Sequence, residues 1–341
     1  MKKLLSVVIV TLLLLLGLFG CTATASAEGP IALKALIIPK FEVGEMSGDF
    51  PGEAQYYYER YCKGGEVYNI PGVDYPLYVK DGVGLIIGGV GKDYVNSTVT
   101  TLLCNDQFDW SNTYFISTGC AGSVREYSVM GDVFVITATI NYDYGHHADY
   151  RELADSNQIV TWYKDGEGSS QFNILNQDLM DKVYTLVKDI ELETTERTRN
   201  YMAATFNNAK WALRNPKVQR GTTVTGDNYW KGVYDEANAI AMTAAYNCPD
   251  PYALTEMEDN SIAFALNQKG LLDHYIVIRD SVNMDVFMYG VTPESLWDPD
   301  YVEVSLSVEG NIESADIFAT AMKNNFLVGS VVIDAILDGT F

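Results

Sequence analysis

The sequence predicts an α/β fold with a largely buried sheet, and three observations carry that expectation. Short apolar runs rich in β-branched or aromatic residues recur along the chain. Segments with helical periodicity lie between them, and no repeat or low-complexity stretch interrupts the alternation. Ala32–Ile38, Gly84–Gly88, Tyr114–Thr118, Val133–Ile140 and Tyr275–Ile278 are the strand candidates, each bounded by Gly, Pro, Asp or Asn. Lys92–Leu103 reads as a helix between the second and third of them. Further along, Leu179, Val183, Leu186, Val187 and Ile190 fall on one helical face. Val233–Tyr246, Asn260–Lys269 and Ala315–Phe326 are the remaining helices. The polar, charged stretch around 164–216, from Lys164 to Pro216, reads as a helical insertion on the fold. A length of 341 residues permits one or two domains, and the pattern favours one, over residues 28–341.

Charge narrows the partners. Asp and Glu number 45 against 23 Lys and Arg, a formal net charge of −22. Nucleic-acid binders neutralise phosphates with clustered cations, and here only eight Arg are spread over the whole chain, which excludes nucleic acid. The amino terminus reads as an address. Met1, Lys2 and Lys3 precede an uncharged run, Leu4–Gly20, and then the small-residue stretch Cys21–Ala27. Cleavage after Ala27 releases a free protein, whereas Leu18-Phe19-Gly20-Cys21 resembles a lipobox that leaves Cys21 lipidated; an uncleaved anchor is a third reading. Either of the first two places the protein outside the cytoplasm: periplasmic, secreted or lipid-anchored. No second stretch of spanning length follows, so this chain does not form a helical channel. The remaining Cys62, Cys104, Cys120 and Cys248 have no spacing that argues for a disulfide or a structural zinc.

Four stretches in order carry a resemblance. Gly88-Gly-Val-Gly-Lys92 leads into a helix, and Thr118-Gly-Cys-Ala-Gly122 precedes Gly131-Asp132 and a strand. Thr225-Gly-Asp-Asn-Tyr-Trp230 forms a third motif. The fourth is Glu256-Met-Glu258, followed by a helix and Ile276–Asn283. Together they resemble the nucleoside phosphorylase and nucleosidase superfamily. The pattern Asp227, Tyr229, Trp230, Gly232, with Met257-Glu258-Asp259 and Asn324, Val328, Gly329, resembles its purine nucleoside permease branch more closely. The resemblance implies a three-layer α/β/α nucleoside phosphorylase-like fold with a central mixed sheet. It also implies a purine nucleoside as ligand, with no cofactor beyond phosphate as a co-substrate, and a homo-oligomer as the common state.

Breaking an N-glycosidic bond needs acceptors for the sugar hydroxyls, a donor to the departing base and a nucleophile at the anomeric carbon. By the resemblance, Glu258 holds the ribose, with Glu256 and Met257 beside it, and Asn283 meets the base with Asp285 as its substitute. Read alone, Glu258 is equally a first-turn acid of the helix Asn260–Lys269. Tyr229 stacks on the purine next to Trp230, and Cys120, Ala121 and Gly122 line the floor. Glu42 and Glu45 lie where a nucleosidase keeps its base. Ser117 and Thr118 carry no Arg for phosphate, leaving Arg60 and Arg125 as distant candidates. Adjacent His146 and His147 point to opposite faces of a strand and do not share a metal. These residues leave open phosphorolysis, hydrolysis and binding alone on behalf of a membrane uptake system, as well as an interaction protein on an inactive enzyme fold.

Overall fold

The computed structural model describes residues 29–152, 161–162, 171–205, 210–287, 292, 294 and 312–341. The segment read as a leader, with Cys21 and Ala27, lies outside the described residues. The chain comprises two units, Met1–Ile31 and Ala32–Phe341, and all that follows concerns the second.

Ten strands of the described residues form one mixed sheet: β1 Ala35–Ile38, β2 Glu66–Tyr68, β3 Leu77–Lys80, β4 Val83–Leu85, β5 Tyr114–Ser123, β6 Val133–Asn141, β7 Phe172–Ile174, β8 Val218–Thr225, β9 Tyr252–Glu256 and β10 Tyr275–Met284. Their order is β7-β6-β8-β9-β5-β1-β4-β3-β2, and β10 pairs with both β5 and β6. That double pairing closes β6, β8, β9, β5 and β10 into a ring. β10 runs parallel to β5 and antiparallel to β6. A strand paired on both edges and covered on both faces is buried throughout, and all ten residues of β10 are buried.

Among the described residues the longer helices are α1 Lys92–Leu103, α2 Gln177–Val187, α3 Glu196–Thr205, α4 Val233–Ala245, α5 Asp259–Gln268 and α6 Ile312–Asp338. α1 buries Val95, Thr98, Val99 and Leu102, one stripe at helical spacing, and packs against α5. Successive residues of a strand point to opposite faces. On β10, Arg279 reaches the start of α5 while Asp280 faces Asn325 of α6, so these two helices cover opposite faces of the sheet.

The sequence pattern locates most elements and misplaces several ends. The run Gly84–Gly88 is a strand only to Leu85, and Ala32–Ile38 yields β1 from Ala35 onward. The Ala315–Phe326 reading covers half of α6, whose apolar face continues through Val328, Val332, Ile333 and Ile336. α2 ends at Val187, so Ile190 lies beyond it, and Met180 joins Leu179, Val183 and Val187 on the buried side while Leu186 is exposed. The described part of 164–216 is helical as expected, but it also contributes β7 to the sheet edge. β8 and β9 escape notice because their burial is partly polar: Thr222, Thr223, Thr225 and Glu256 are all buried.

Two buried acids set a pH dependence. Asp280 and Asp285 are fully buried, and burial pushes both carboxyls well above the usual range, Glu53 adding to the effect at Asp280 and Glu236 at Asp285. The native state therefore keeps protons that the unfolded chain has released above its carboxyl pKa of about 3.9, and stability falls as pH rises. Each such group contributes a slope of about 1.4 kcal/mol per pH unit until its native pKa is passed. Thermal unfolding at pH 5 and pH 8 checks this: the melting temperature falls between the two, and falls less in Asp280→Asn. An unchanged slope in that variant means that Asp280 is ionised in the native protein.

Candidate functional site

A cavity of about 220 Å³ opens where the ends of β1, β5, β9 and β10 meet. β5 supplies Cys120, Ala121 and Gly122, and β10 supplies Arg279, Val282 and Asn283. The end of β9 and the turn after it present Thr255, Glu256, Met257 and Glu258. The segment after β1 brings Lys40, Phe41 and Glu53, and the loop after β8 brings Asn228, Tyr229 and Trp230. A shallower groove of about 660 Å³ adjoins it, sharing Val90 and Met257.

A β-bulge aims Asn283. β5 and β10 pair Ala121 with Ser281, then Gly122 with Asn283, leaving Val282 as the extra residue. An inserted residue re-aims the side chain that follows it, and here it places Asn283 opposite Gly122. A methyl group on Gly122 would come within 3.1 Å of Asn283 Nδ2, so the small residue is what admits the amide. One hydrogen of that amide goes to Met284 O at 3.2 Å.

Arg279 organises the acids. Its side chain is 1% exposed. Nε donates to Asp259 Oδ2 at 2.9 Å, and Nη2 reaches Asp259 Oδ1 at 2.8 Å, Glu258 Oε2 at 3.0 Å and Glu256 Oε2 at 3.3 Å. Nη1 donates to Cys120 O at 3.0 Å. Glu258 is the residue before α5, but its side chain does not cap that helix. Glu256 does so instead, accepting from the backbone N–H of Glu258 and of Asp259, the latter at 2.7 Å. Glu258 is thereby released to face the cavity, with Oε1 accepting from Gly91 N at 2.9 Å. Burial and the neighbouring Asp259 push Glu256 up to about 8. Burial also raises Glu258, against the pull of Arg279. Burial opposes charge on Asp259 too, yet Arg279 and Lys40 hold its carboxyl below the usual range.

Glu53 is the cavity acid that the sequence pattern misses. Its Oε2 accepts from Lys40 N at 2.6 Å and its Oε1 from Cys120 N at 2.8 Å. Gly119 makes room for it: a Cβ there would lie 2.4 Å from Glu53 Oε1, and φ at Gly119 is +143°. Glu42 and Glu45, the acids expected to serve as base, do not line the cavity. Glu42 turns away to accept the backbone N–H groups of Val43, Gly52, Ala54 and Gln55, a local cap for the chain leading into the helical stretch Gln55–Cys62. Glu45 is exposed. Asp285 is also outside the cavity, buried where it accepts from Tyr252 Oη. Arg279 and Lys40 are missed as well; their only signal is a charge immediately following an apolar run.

Both cations at the cavity are already committed. The Lys40 ammonium donates to Ile38 O at 2.7 Å, Ser117 Oγ at 2.8 Å and Thr118 O at 2.9 Å. Burial, and then Arg279, lower its pKa. Arg60 pairs with Asp334 and Arg125 lies 3.8 Å from Glu236, both away from the cavity. The Cys120 thiol is pushed well up by burial and by Glu53, so it is no nucleophile at neutral pH. Tyr229 is 51% exposed at the rim, while Trp230 stacks on Tyr142 with centroids 5.2 Å apart. His146 and His147 are exposed and do not reach the cavity.

Comparison with known proteins agrees with this architecture. A probable purine nucleoside permease of Schizosaccharomyces pombe is 27% identical over 221 residues, covering 58% of this chain and 63% of that protein. The purine nucleoside permease of Candida albicans is 24% identical over 206 residues, covering 55% of this chain and 50% of that one. This chain thus spans between half and two thirds of the length of these curated relatives. Among solved structures, the MTA/SAH nucleosidase of Colwellia psychrerythraea with adenine superposes with a TM-score of 0.53 at 18% identity, over 91% of this chain and 96% of that one. Futalosine hydrolase of Helicobacter pylori gives 0.52 at 12% identity, over 89% and 98%. At such identities these neighbours establish the fold: that of the nucleoside phosphorylases and nucleosidases. The family model for purine nucleoside permease (NUP) matches residues 32–340, and the chain belongs to that family.

Proposed function

We propose that this chain binds a purine nucleoside in the cavity and hydrolyses its N-glycosidic bond. Glu53 carries the reading: a buried carboxylate, oriented by two backbone N–H groups, faces the same space as Glu258 and Asn283. Those two bonds use one acceptor site on each oxygen and leave others for a water. As that water's oxygen bonds to the anomeric carbon, Glu53 takes its proton. The C–N bond breaks with its electron pair passing to the purine, which takes a proton from solvent; nucleoside and water become free base and free pentose. Glu258 accepts from the sugar hydroxyls, Met257 packs on the sugar, Tyr229 stacks on the base and Asn283 hydrogen-bonds to it.

Phosphorolysis receives less support. A phosphate entering this cavity meets Glu53 and Glu258, while the nitrogens of Lys40 and Arg279 are already bonded within the protein. A second reading, binding without turnover, is favoured by one observation. Asn283 is an amide and donates a hydrogen bond to the base without being able to protonate it. From the leader sequence we infer that the protein acts outside the cytoplasm.

The test is to incubate the mature chain with inosine, adenosine and guanosine, with and without phosphate, and to separate the products. Free base with free ribose in both conditions is the expected result; ribose 1-phosphate replaces hydrolysis with phosphorolysis, and affinity without release leaves a binding protein. Glu53→Gln lowers kcat by about 10²–10⁴-fold and leaves nucleoside affinity nearly unchanged. Glu258→Gln acts differently, weakening binding by about tenfold or more because a charged acceptor is lost. Unchanged affinity and turnover in Glu258→Gln would remove it from the site.

A further inference from the structure

Outside the cavity wall, one cluster of side chains ties three segments together. Asp143, just beyond β6, forms an ion pair with Lys92 at the start of α1. The same carboxylate accepts from Asp227 N at 2.9 Å and from Asn228 Nδ2 at 3.1 Å, both in the loop that carries Tyr229 and Trp230. Lys92 closes the triangle: its backbone N–H donates to Asp227 Oδ1 at 2.8 Å, and its ammonium donates to Asn141 Oδ1 at 3.2 Å and lies 3.9 Å from Asp227 Oδ2.

We propose that Lys92 and Asp143 are positioning residues: a latch that holds the aromatic loop over the cavity and joins it to the sugar carboxylate Glu258. The physical reason is charge. Asp143 and Asp227 are both acidic and share one backbone contact, so without Lys92 between them they repel and the loop is driven off β6. The side chains of Lys92, Asp143 and Asp227 are 15%, 24% and 48% exposed. Ion pairs in partial contact with water are modest in strength, which suits a loop that must release its ligand. The join to Glu258 is one residue away, because Gly91 N–H donates to Glu258 Oε1. Gly91 has φ +94°, and a Cβ there would stand 3.3 Å from Asp227 Oδ1, so the turn lies directly against the loop. What the loop grips rests on the nucleoside reading; the latch rests on these contacts.

Two measurements on Lys92→Met and Lys92→Arg test it. In the ligand-free protein, amide hydrogen exchange of residues 226–230 accelerates by about tenfold in Lys92→Met, the loss of one charge-assisted contact, and stays near wild type in Lys92→Arg. With inosine as the probe, Lys92→Met weakens binding by about tenfold, the loss falling on KM rather than kcat, and Lys92→Arg restores it. Unchanged exchange and affinity in Lys92→Met overturn the latch. Equal impairment in both variants also overturns it, since that marks a packing role. If the wild-type protein binds no nucleoside, the proposed function falls, and the exchange measurement still decides the latch.

Discussion

A single buried guanidinium, Arg279, holds the site together. It bonds to the end of β9 through Glu256, to the turn before α5 through Glu258, to α5 through Asp259 and to β5 through the carbonyl of Cys120. Taking these charges out of water is costly, and the arrangement persists only because each carboxylate has further donors. One cation with Lys40 nearby does not balance Glu53, Glu256, Glu258 and Asp259. Glu256, with its pKa near 8, relieves the excess by keeping a proton close to neutrality. Such a cluster is poor at adding stability and good at fixing where its members point.

The strand ring explains how residues distant in sequence become neighbours. β10 reaches both β5 and β6, so the ends of β5, β9 and β10 are held at one level around the cavity. The bulge at Val282 and the absence of a side chain at Gly119 and Gly122 then do local work on that frame. One turns Asn283 toward the cavity, and the others let Glu53 and Asn283 lie against the backbone. The aromatic loop is less firmly built. Its Tyr229 is exposed, and its attachment includes contacts with Lys92, Asp143, Tyr142 and the carbonyl of Asp285.

Family and chemistry point in complementary directions. The NUP family carries permease in its name, yet among the described residues no helix is long and apolar enough to cross a membrane. The structural neighbours are nucleosidases and a hydrolase by name, and their similarity here is one of fold. For the proposed reaction, a cavity lined with acids and with its cations internally satisfied would favour water over an anion as the second reactant. This is a chemical reason for the hydrolytic reading, independent of what either group of relatives is called.

The sequence by itself determined the alternation of strands and helices, the acidic net charge and the order of the glycine and acid motifs. Through the family resemblance that those motifs carry, it led to Cys120, Ala121, Gly122, Tyr229, Trp230, Glu256, Met257, Glu258 and Asn283, all of which line the cavity. These are legible because each sits in a short motif whose turn or strand end keeps its residues adjacent. Only the tertiary structure decided which acid after β1 faces the site. Glu42, Glu45 and Glu53 lie on one irregular segment, where no period relates position to direction. Glu53 enters because the backbone N–H of Cys120, 67 residues away, is there to receive it. Arg279 and Lys40 were hidden for the same reason. Most of the groups that justify burying their charge come from segments distant in sequence and meet them only in the folded chain: Glu256, Glu258, Asp259 and the Cys120 carbonyl for Arg279, and Ser117 and the Thr118 carbonyl for Lys40.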